Sequence, residues 1–133
     1  MRTGAKKLAF LLRTGKISAT EVMRAFIARI ERVNPHLNAI VTFLPEQALK
    51  QAKALDRRRG PRPPLAGLPI AYKDLVSTKG IRTTLGSMVY AENVPSADSA
   101  LVERLCAAGA ITIGKTNTPE FGAGSQTFNK VFG

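Results

Sequence analysis

The 133-residue sequence has no tryptophan, one cysteine and one histidine. A lone cysteine, Cys106, excludes an internal disulfide framework and a cysteine-cluster metal site, so a reducing, cytoplasmic compartment is expected. The longest apolar run near the start, residues 8–12, is too short for a signal-peptide core or a membrane span. The sequence thus predicts no membrane partner, and no pattern in it calls for a metal or another cofactor.

Acidic residues are also scarce, since 9 Asp and Glu stand against 20 Lys and Arg, for a net charge of +11. Such an excess can indicate nucleic-acid binding. Here it is concentrated in residues 1–64, which carry 14 basic and 4 acidic residues. Because the aromatic residues expected of a base-stacking surface are not interleaved with these charges, nucleic acid is not favoured. A basic RNA-binding or assembly module remains the alternative from another class.

Helical patterns dominate the first 60 residues. Ser18 and Glu21 fit a capping box. The apolar residues behind it recur at three- and four-residue steps and predict a helix. This helix is expected to end at Asn34, because Pro35 disfavours helical geometry in the residue before it. The other predicted elements of this half are a helix over 6–13, a strand over 39–43 and a helix that begins at residue 45.

The second half has a different pattern of apolar residues, with two short apolar runs separated by a helical pattern. Residues 68–72 form the first run, which closes on Lys73 and Asp74, and residues 110–114 form the second. The predicted helix between them covers 100–108. A strand, a crossover helix and a strand in this order favour a right-handed unit with parallel strands, so an α/β fold is expected.

Residues 109–116 match the phosphate-loop formula G-x-x-x-x-G-K-[ST] letter for letter. The context argues against a nucleotide site, because such a loop follows a strand and opens a helix. Here the first glycine ends a predicted helix, the next residues are strand-like, and Pro119 leaves little room for a following helix. We interpret this segment as a strand.

Three polar residues follow the predicted strands, and we expect Lys73, Lys115 and Asn117 to converge on one edge of the sheet. An ammonium group at the tip of an apolar strand is desolvated, so its pKa falls and the neutral amine can accept a proton. The alternative is structural: such a lysine extends into solvent or pairs with a neighbour such as Asp74.

Three ordered segments resemble the amidase signature family: residues 67–74 (GLPIAYKD), 79–87 (KGIRTTLGS) and 107–121 (AAGAITIGKTNTPEF). The resemblance implies an α/β/α hydrolase with a mixed central sheet. It would cleave carboxylic amides to an acid and ammonia or an amine through a serine, a bridging serine with a cis peptide, and a lysine. By position Lys73 is that catalytic lysine. The resemblance also implies substrate-binding roles, because the family's acyl pocket falls at Gly122, Ala123 and Gly124.

The resemblance also identifies parts of the triad that are missing. The family's bridging serine lies in a Gly-Gly-Ser-Ser-Gly-Gly stretch, and its nucleophile and oxyanion hole lie in another glycine-rich segment. Neither segment occurs in these 133 residues, and Ser125 lacks the flanking pattern. We therefore expect an N-terminal fragment of one amidase domain that is inactive alone. Its parts would be a helical front layer over 1–60, a connector over 61–67 and the start of the catalytic sheet over 68–133.

One branch of this family offers an alternative function, as the A-type subunit of the glutamyl-tRNA(Gln) amidotransferase. That subunit liberates ammonia from glutamine by the same triad. Leu75 stands where this branch usually has asparagine, which favours a general amidase. The partners expected of the full-length enzyme are a small-molecule amide and, as one option, a second copy in a homodimer.

Overall fold

Helices and a small mixed sheet alternate along the chain in the computed structural model, which describes residues 3–133. The helices are α1 (Ala5–Arg13), α2 (Ala19–Leu37), α3 (Pro45–Arg57) and α4 (Ala100–Ala107). The strands are β1 (Ile40–Phe43), β2 (Pro69–Lys73) and β3 (Ile111–Thr116), and 3₁₀ turns cover Met88–Tyr90 and Glu120–Gly122. In this described range, no helix combines the length and apolar character needed to cross a bilayer.

Two sets of polar contacts stabilise the start of α2. The Ser18 hydroxyl accepts a hydrogen bond from the Glu21 N–H at 3.1 Å, and the Glu21 carboxylate accepts one from the Ser18 N–H at 2.9 Å. Asp56, near the end of α3, accepts the N–H groups of Ala19 and Thr20 at 2.8 and 2.9 Å. Carboxylates suit a helix N-terminus, where N–H groups lack partners. The predicted capping box is confirmed, and these contacts join α3 to α2.

The predicted end of α2 at Asn34 is wrong, since the helix continues through Pro35 to Leu37. The proline ring removes one backbone donor, but side-chain bonds from Asn34 secure the last turn. Its Oδ1 accepts the Ile40 N–H at 2.8 Å and its Nδ2 donates to the Ile40 carbonyl at 2.9 Å. Asn38 then adopts a left-handed conformation, with φ of 47°, and ends the helix.

The sheet has the order β1-β3-β2, with β1 antiparallel and β2 parallel to the central strand. The predicted parallel pair is confirmed, and so is an α/β fold with a mixed sheet. The strand that lies within the helical front half joins this same sheet at its edge. Gly114 is required at the crossing of β1 and β3, because a Cβ there would overlap the Thr42 carbonyl oxygen.

One apolar core lies between the front helices and the sheet. Its helical side is rich in alanine, which lets the helices approach closely, and its sheet side is supplied by β3. The buried members are Leu12, Ala19, Val22, Met23, Ala48, Ala52, Ile111 and Ile113. Since both halves of the chain share this core, the helices fix the position of β3 and, through it, of β2.

The segment that matches the phosphate-loop formula forms a helix end and a strand, as predicted. Gly109, with φ of 92°, follows α4, and β3 begins at Ile111. After Thr116 the chain passes through irregular residues to the 3₁₀ turn at Glu120–Gly122. The strand-turn-helix geometry of a phosphate loop is therefore not formed here.

Candidate active site at the ends of two parallel strands

Lys73 is the last residue of β2, and its side chain is exposed. The preceding residue, Tyr72, faces α4, where its hydroxyl lies 3.9 Å from the Cys106 Sγ. Because side chains alternate along a strand, Lys73 projects from the other face. Its ammonium group forms no salt bridge within residues 3–133. In the described chain Lys73 is exposed, so the desolvation expected at this strand end is not seen here.

Lys115, on β3, has the opposite environment. Its side chain is completely buried. Its Nζ donates hydrogen bonds to the Val76 carbonyl at 2.5 Å, to Thr78 Oγ1 at 2.9 Å and to Thr83 Oγ1 at 2.7 Å. Burial lowers the pKa of Lys115 to about 8, although nearby carboxylates act in the opposite direction. The desolvated lysine is therefore Lys115 and not Lys73.

Asn117 is half-buried just after β3, where it belongs to a structural network. Its Oδ1 accepts a hydrogen bond from Asn129 Nδ2 at 2.7 Å, and the same Nδ2 donates to the Thr118 carbonyl at 2.8 Å. As expected, Lys73, Lys115 and Asn117 lie at one edge of the sheet, at the carboxyl ends of neighbouring parallel strands, but each has a different environment. Of these three residues only Lys73 is exposed, because the loops after the strands cover the other two.

Asp74 is completely buried directly after Lys73. Its Oδ2 accepts the Thr84 N–H at 3.0 Å and the Thr84 hydroxyl at 2.6 Å. Its backbone N–H donates to the Thr116 carbonyl at 2.9 Å, and its carbonyl accepts from the Leu85 N–H at 3.0 Å. The Lys73–Asp74 ion pair considered above is not formed. Asp74 instead fixes the loop that returns to the end of β2.

Gly122 lies close to this strand end through its contact with Leu75. A Cβ on Gly122 would lie 2.7 Å from Leu75 Cδ1, and its φ of +73° also favours glycine. The neighbouring Phe121 N–H donates to the Leu85 carbonyl at 2.7 Å. Since Leu85 also bonds to Asp74, two backbone hydrogen bonds connect the Gly122 turn to the residue after Lys73.

The other two predicted pocket residues, Ala123 and Gly124, line an open cavity of about 500 Å³. Ser125, Phe128 and Lys130 are among the other residues of its wall. Neither Gly122 nor Lys73 belongs to this lining. Within the described chain, the three predicted pocket residues are thus divided between a contact with Leu75 and the wall of a neighbouring cavity.

The buried hydroxyl groups of the loop after β2 are functional candidates that the sequence analysis missed. Thr78, Thr83, Thr84 and Ser87 are all buried, although their segment reads as a polar loop. Ser87 donates to Glu120 Oε1 at 2.6 Å, and the threonines bind the two buried charges described above. The only signal in the sequence was the density of hydroxyl residues in a segment bounded by short apolar strands.

Ligands of α/β sheets bind at the carboxyl ends of the parallel strands, and Lys73 is exposed at such an end. The sequence model of the Amidase family matches residues 21–133, and the chain belongs to this family. A curated relative, the A-type subunit of the glutamyl-tRNA(Gln) amidotransferase from Dehalococcoides mccartyi (strain ATCC BAA-2266 / KCTC 15142 / 195), is 44% identical over 124 residues. Further relatives with the same name are 42 to 45% identical.

Solved structures agree with this assignment and confirm the predicted family. A bacterial aryl acylamidase of the amidase signature family is 30% identical, with a TM-score of 0.91 over 98% of this chain and 28% of that one. The 6-aminohexanoate cyclic dimer hydrolase, in complex with substrate, is 34% identical, with a TM-score of 0.85 over 98% of this chain and 27% of that one. The alignment with the Dehalococcoides relative covers 92% of this chain and 26% of the relative, so this chain spans about a quarter of its length.

Proposed function

We propose that this chain supplies the proton-transferring lysine, Lys73, of an enzyme that hydrolyses a carboxylic amide. The observation that carries the proposal is the contrast between the two lysines at the strand ends. Lys73 is exposed and forms no salt bridge in the described part of the chain, whereas Lys115 is sealed among three acceptors. A group that exchanges a proton with a reacting partner must be within reach of it. Only Lys73 meets this condition.

The chemistry of amide cleavage explains why a lysine serves in this position. A serine hydroxyl is a weak nucleophile until a base removes its proton, and a neutral amine can do so through a second hydroxyl without histidine. The amine is neutral only if it is desolvated, because burial disfavours the ammonium form. Lys73 is exposed in this chain, so the proposal requires that substrate or further protein cover it. The serines and the oxyanion hole are likewise assigned to protein outside these residues.

The proposal places the acyl part of the substrate near the turn that follows β3. Ala123 and Gly124 line the open cavity, and Gly122 packs on Leu75, two residues after Lys73. Small residues there leave room for an acyl group next to the strand end. The substrate class that fits is a small-molecule carboxylic amide.

The test measures ammonia release from aliphatic and aromatic amides by the native protein that contains this chain. Hydrolysis is expected, and Lys73→Met is expected to reduce it by about 10²–10⁴-fold. Lys79→Met is the matched control, because Lys79 is an exposed lysine six residues further along. The purified 133-residue chain alone is expected to release no ammonia. Equal hydrolysis by the native protein and its Lys73→Met variant would overturn the proposal.

A second candidate is the A-type amidotransferase subunit, favoured by the name that the curated relatives share. The same lysine would then act on the side-chain amide of glutamine. Leu75, which contacts Gly122, stands where this branch usually has asparagine, and this favours the general amidase. A native protein that releases ammonia from L-glutamine much faster than from simple amides would favour this candidate. A preference for apolar amides would favour the general amidase.

A further inference from the structure

The hydrogen bonds around Lys115 define the charge of its amine. Three acceptors surround Nζ: the Val76 carbonyl and the hydroxyl oxygens of Thr78 and Thr83. The Thr78 hydroxyl donates its own proton to the Val76 carbonyl at 3.0 Å, and the Thr83 hydroxyl donates to the Ile81 carbonyl at 3.0 Å. Each hydroxyl has one proton, so both must accept from Lys115.

This arrangement fits an ammonium group and not a neutral amine. An ammonium has three N–H donors and no lone pair, which matches three acceptors. A neutral amine has two donors and a lone pair, so it could not donate to all three acceptors. The negative charges of Asp74 and Asp98 also favour the charged form. Below about pH 8 Lys115 is therefore a buried cation that holds a loop, and its burial keeps it from contact with a substrate.

The loop held by Lys115 begins at Lys73. The Val76 N–H donates to the Lys73 carbonyl at 2.9 Å, which closes the turn directly after β2. The carbonyl of the same Val76 accepts from the Lys115 ammonium. One residue thus connects the buried cation on β3 to the main chain of the open lysine on β2. The neighbouring strands provide a second connection, because Tyr72 and Lys115 are paired across the sheet.

We propose that Lys115 is a positioning residue for Lys73: its buried ammonium fixes the turn over 73–76 and the loop to Thr83, and so sets where the catalytic amine stands. This inference rests on the proposed role of Lys73. It assigns Lys115 no contact with the substrate. Thr78 and Thr83 act as its anchors on the loop.

The test uses the native protein with lysine labelled at the ε carbon, so that each amine is followed by NMR as the pH is raised. The Lys115 signal, assigned by its loss in Lys115→Met, is expected to titrate at about pH 8. Thr83→Val removes one acceptor of the ammonium and is expected to shift this midpoint to lower pH, because that acceptor favours the charged form. Lys79→Met is expected to leave the midpoint unchanged.

The coupling to Lys73 is read from the Lys73 signal and from catalysis. Lys115→Met is expected to move the Lys73 signal and to lower kcat by at least about tenfold with KM unchanged, because a misplaced catalytic group slows the chemical step. Thr83→Val is expected to change the Lys73 signal and kcat in the same direction as Lys115→Met, but by smaller amounts. It also provides the test if Lys115→Met does not fold.

Two results would overturn the positioning role. In the first, Thr83→Val shifts the titration midpoint of Lys115 but leaves the Lys73 signal and kcat unchanged. The other is a Lys115 midpoint that does not respond to loss of the Thr83 hydroxyl. Failure of the proposed function would give a different result. Lys73→Met would then leave hydrolysis unaffected, while Lys115→Met would still move the NMR signal of Lys73.

Discussion

The ends of β2 and β3 look alike in sequence and differ in structure. Each apolar strand leads to a lysine, and the two lysines are offset by one position in the parallel register, with Tyr72 beside Lys115 and Lys73 beside Thr116. Because of this offset, they project from opposite faces of the sheet. One face leaves its lysine open, and the other is covered by the loop over 76–83. The loop after a strand, and not the strand itself, decides whether the terminal lysine is exposed.

The comparison also shows that a lysine with a lowered pKa can be either a catalytic base or a buried structural group. A lowered pKa is often used to find a catalytic base, and on that ground alone Lys115 would be chosen. Its complete burial and its three acceptors exclude it, because a base must reach the proton that it removes. Lys73, which is exposed at the end of β2, meets this condition.

The largest expected effect is on catalysis at the end of β2. Lys73→Met in the native protein is expected to reduce amide hydrolysis by about 10²–10⁴-fold, the usual contribution of a positioned acid or base. Because Lys73 forms no salt bridge in the described part of the chain, the thermal midpoint of unfolding should stay within about 1 °C of wild type. Parallel assays of ammonia release and thermal unfolding check this. A large loss of stability would mean that Lys73 is structural.

At the end of β3 the expected effect is on stability. Lys115→Met removes the donor from three buried acceptors, and such losses cost about 1–3 kcal/mol of unfolding free energy. Lys79→Met, on the exposed side of the same loop, should cost less than about 0.5 kcal/mol. Chemical denaturation of both variants gives the two values. Equal losses of unfolding free energy in the two variants would contradict the contrast between the buried Lys115 and an exposed lysine.

A smaller effect is expected of pH on the unfolding free energy. The pKa of Lys115 is about 8 in the folded chain against 10.5 for an ordinary lysine, so between pH 8 and 10 the unfolded chain holds more protons. The contribution of Lys115 to the unfolding free energy therefore rises with pH in this window. Burial raises the pKa of Tyr72 to about 12, which acts in the opposite sense only above pH 10.

The pH effect is measured as a difference between variants. Denaturation at pH 8, 9 and 10 should show the stability gap between wild type and Lys115→Met widening as the pH rises. The gap between wild type and Lys79→Met should stay constant. A Lys115 gap that narrows would mean that the folded chain holds this proton more tightly than the unfolded chain does.

No effect is expected from a nucleotide. Since residues 109–116 form a helix end and a strand, ATP with magnesium should not stabilise the chain. A true site at a hundred times its dissociation constant would add about 2.7 kcal/mol. Thermal unfolding with and without ATP is the measurement. An ATP-dependent rise in the midpoint that Lys115→Ala removes would restore the phosphate-loop interpretation.

The sequence predicted the elements whose signals are local. The capping box at Ser18 and the parallel strands around α4 follow from spacing over a few residues, and they are confirmed. The end of α2 was wrong because Asn34 satisfies its last turn through side-chain bonds to Ile40, six residues away. Propensity rules for the residue before a proline do not contain such bonds.

The site was predicted less completely, because its contrast depends on contacts between distant residues. Lys73 was predicted to be catalytic from the family resemblance, because its place at a strand end gave it the same local signature as Lys115. Only the folded chain shows that Thr78 and Thr83, more than thirty residues before Lys115, bind its ammonium. The chain must fold before the two lysines can be told apart.

The most direct test of this account is the relative reactivity of the two amines in the folded protein. Trace acetylation with acetic anhydride, followed by peptide mass spectrometry, compares Lys73, Lys115 and the exposed Lys79 in one sample. We expect Lys73 and Lys79 both to react at least about a hundredfold faster than Lys115, whose amine becomes reactive only when denaturant opens the loop. Acetylation of Lys115 in the native protein as fast as that of Lys73 would contradict the account.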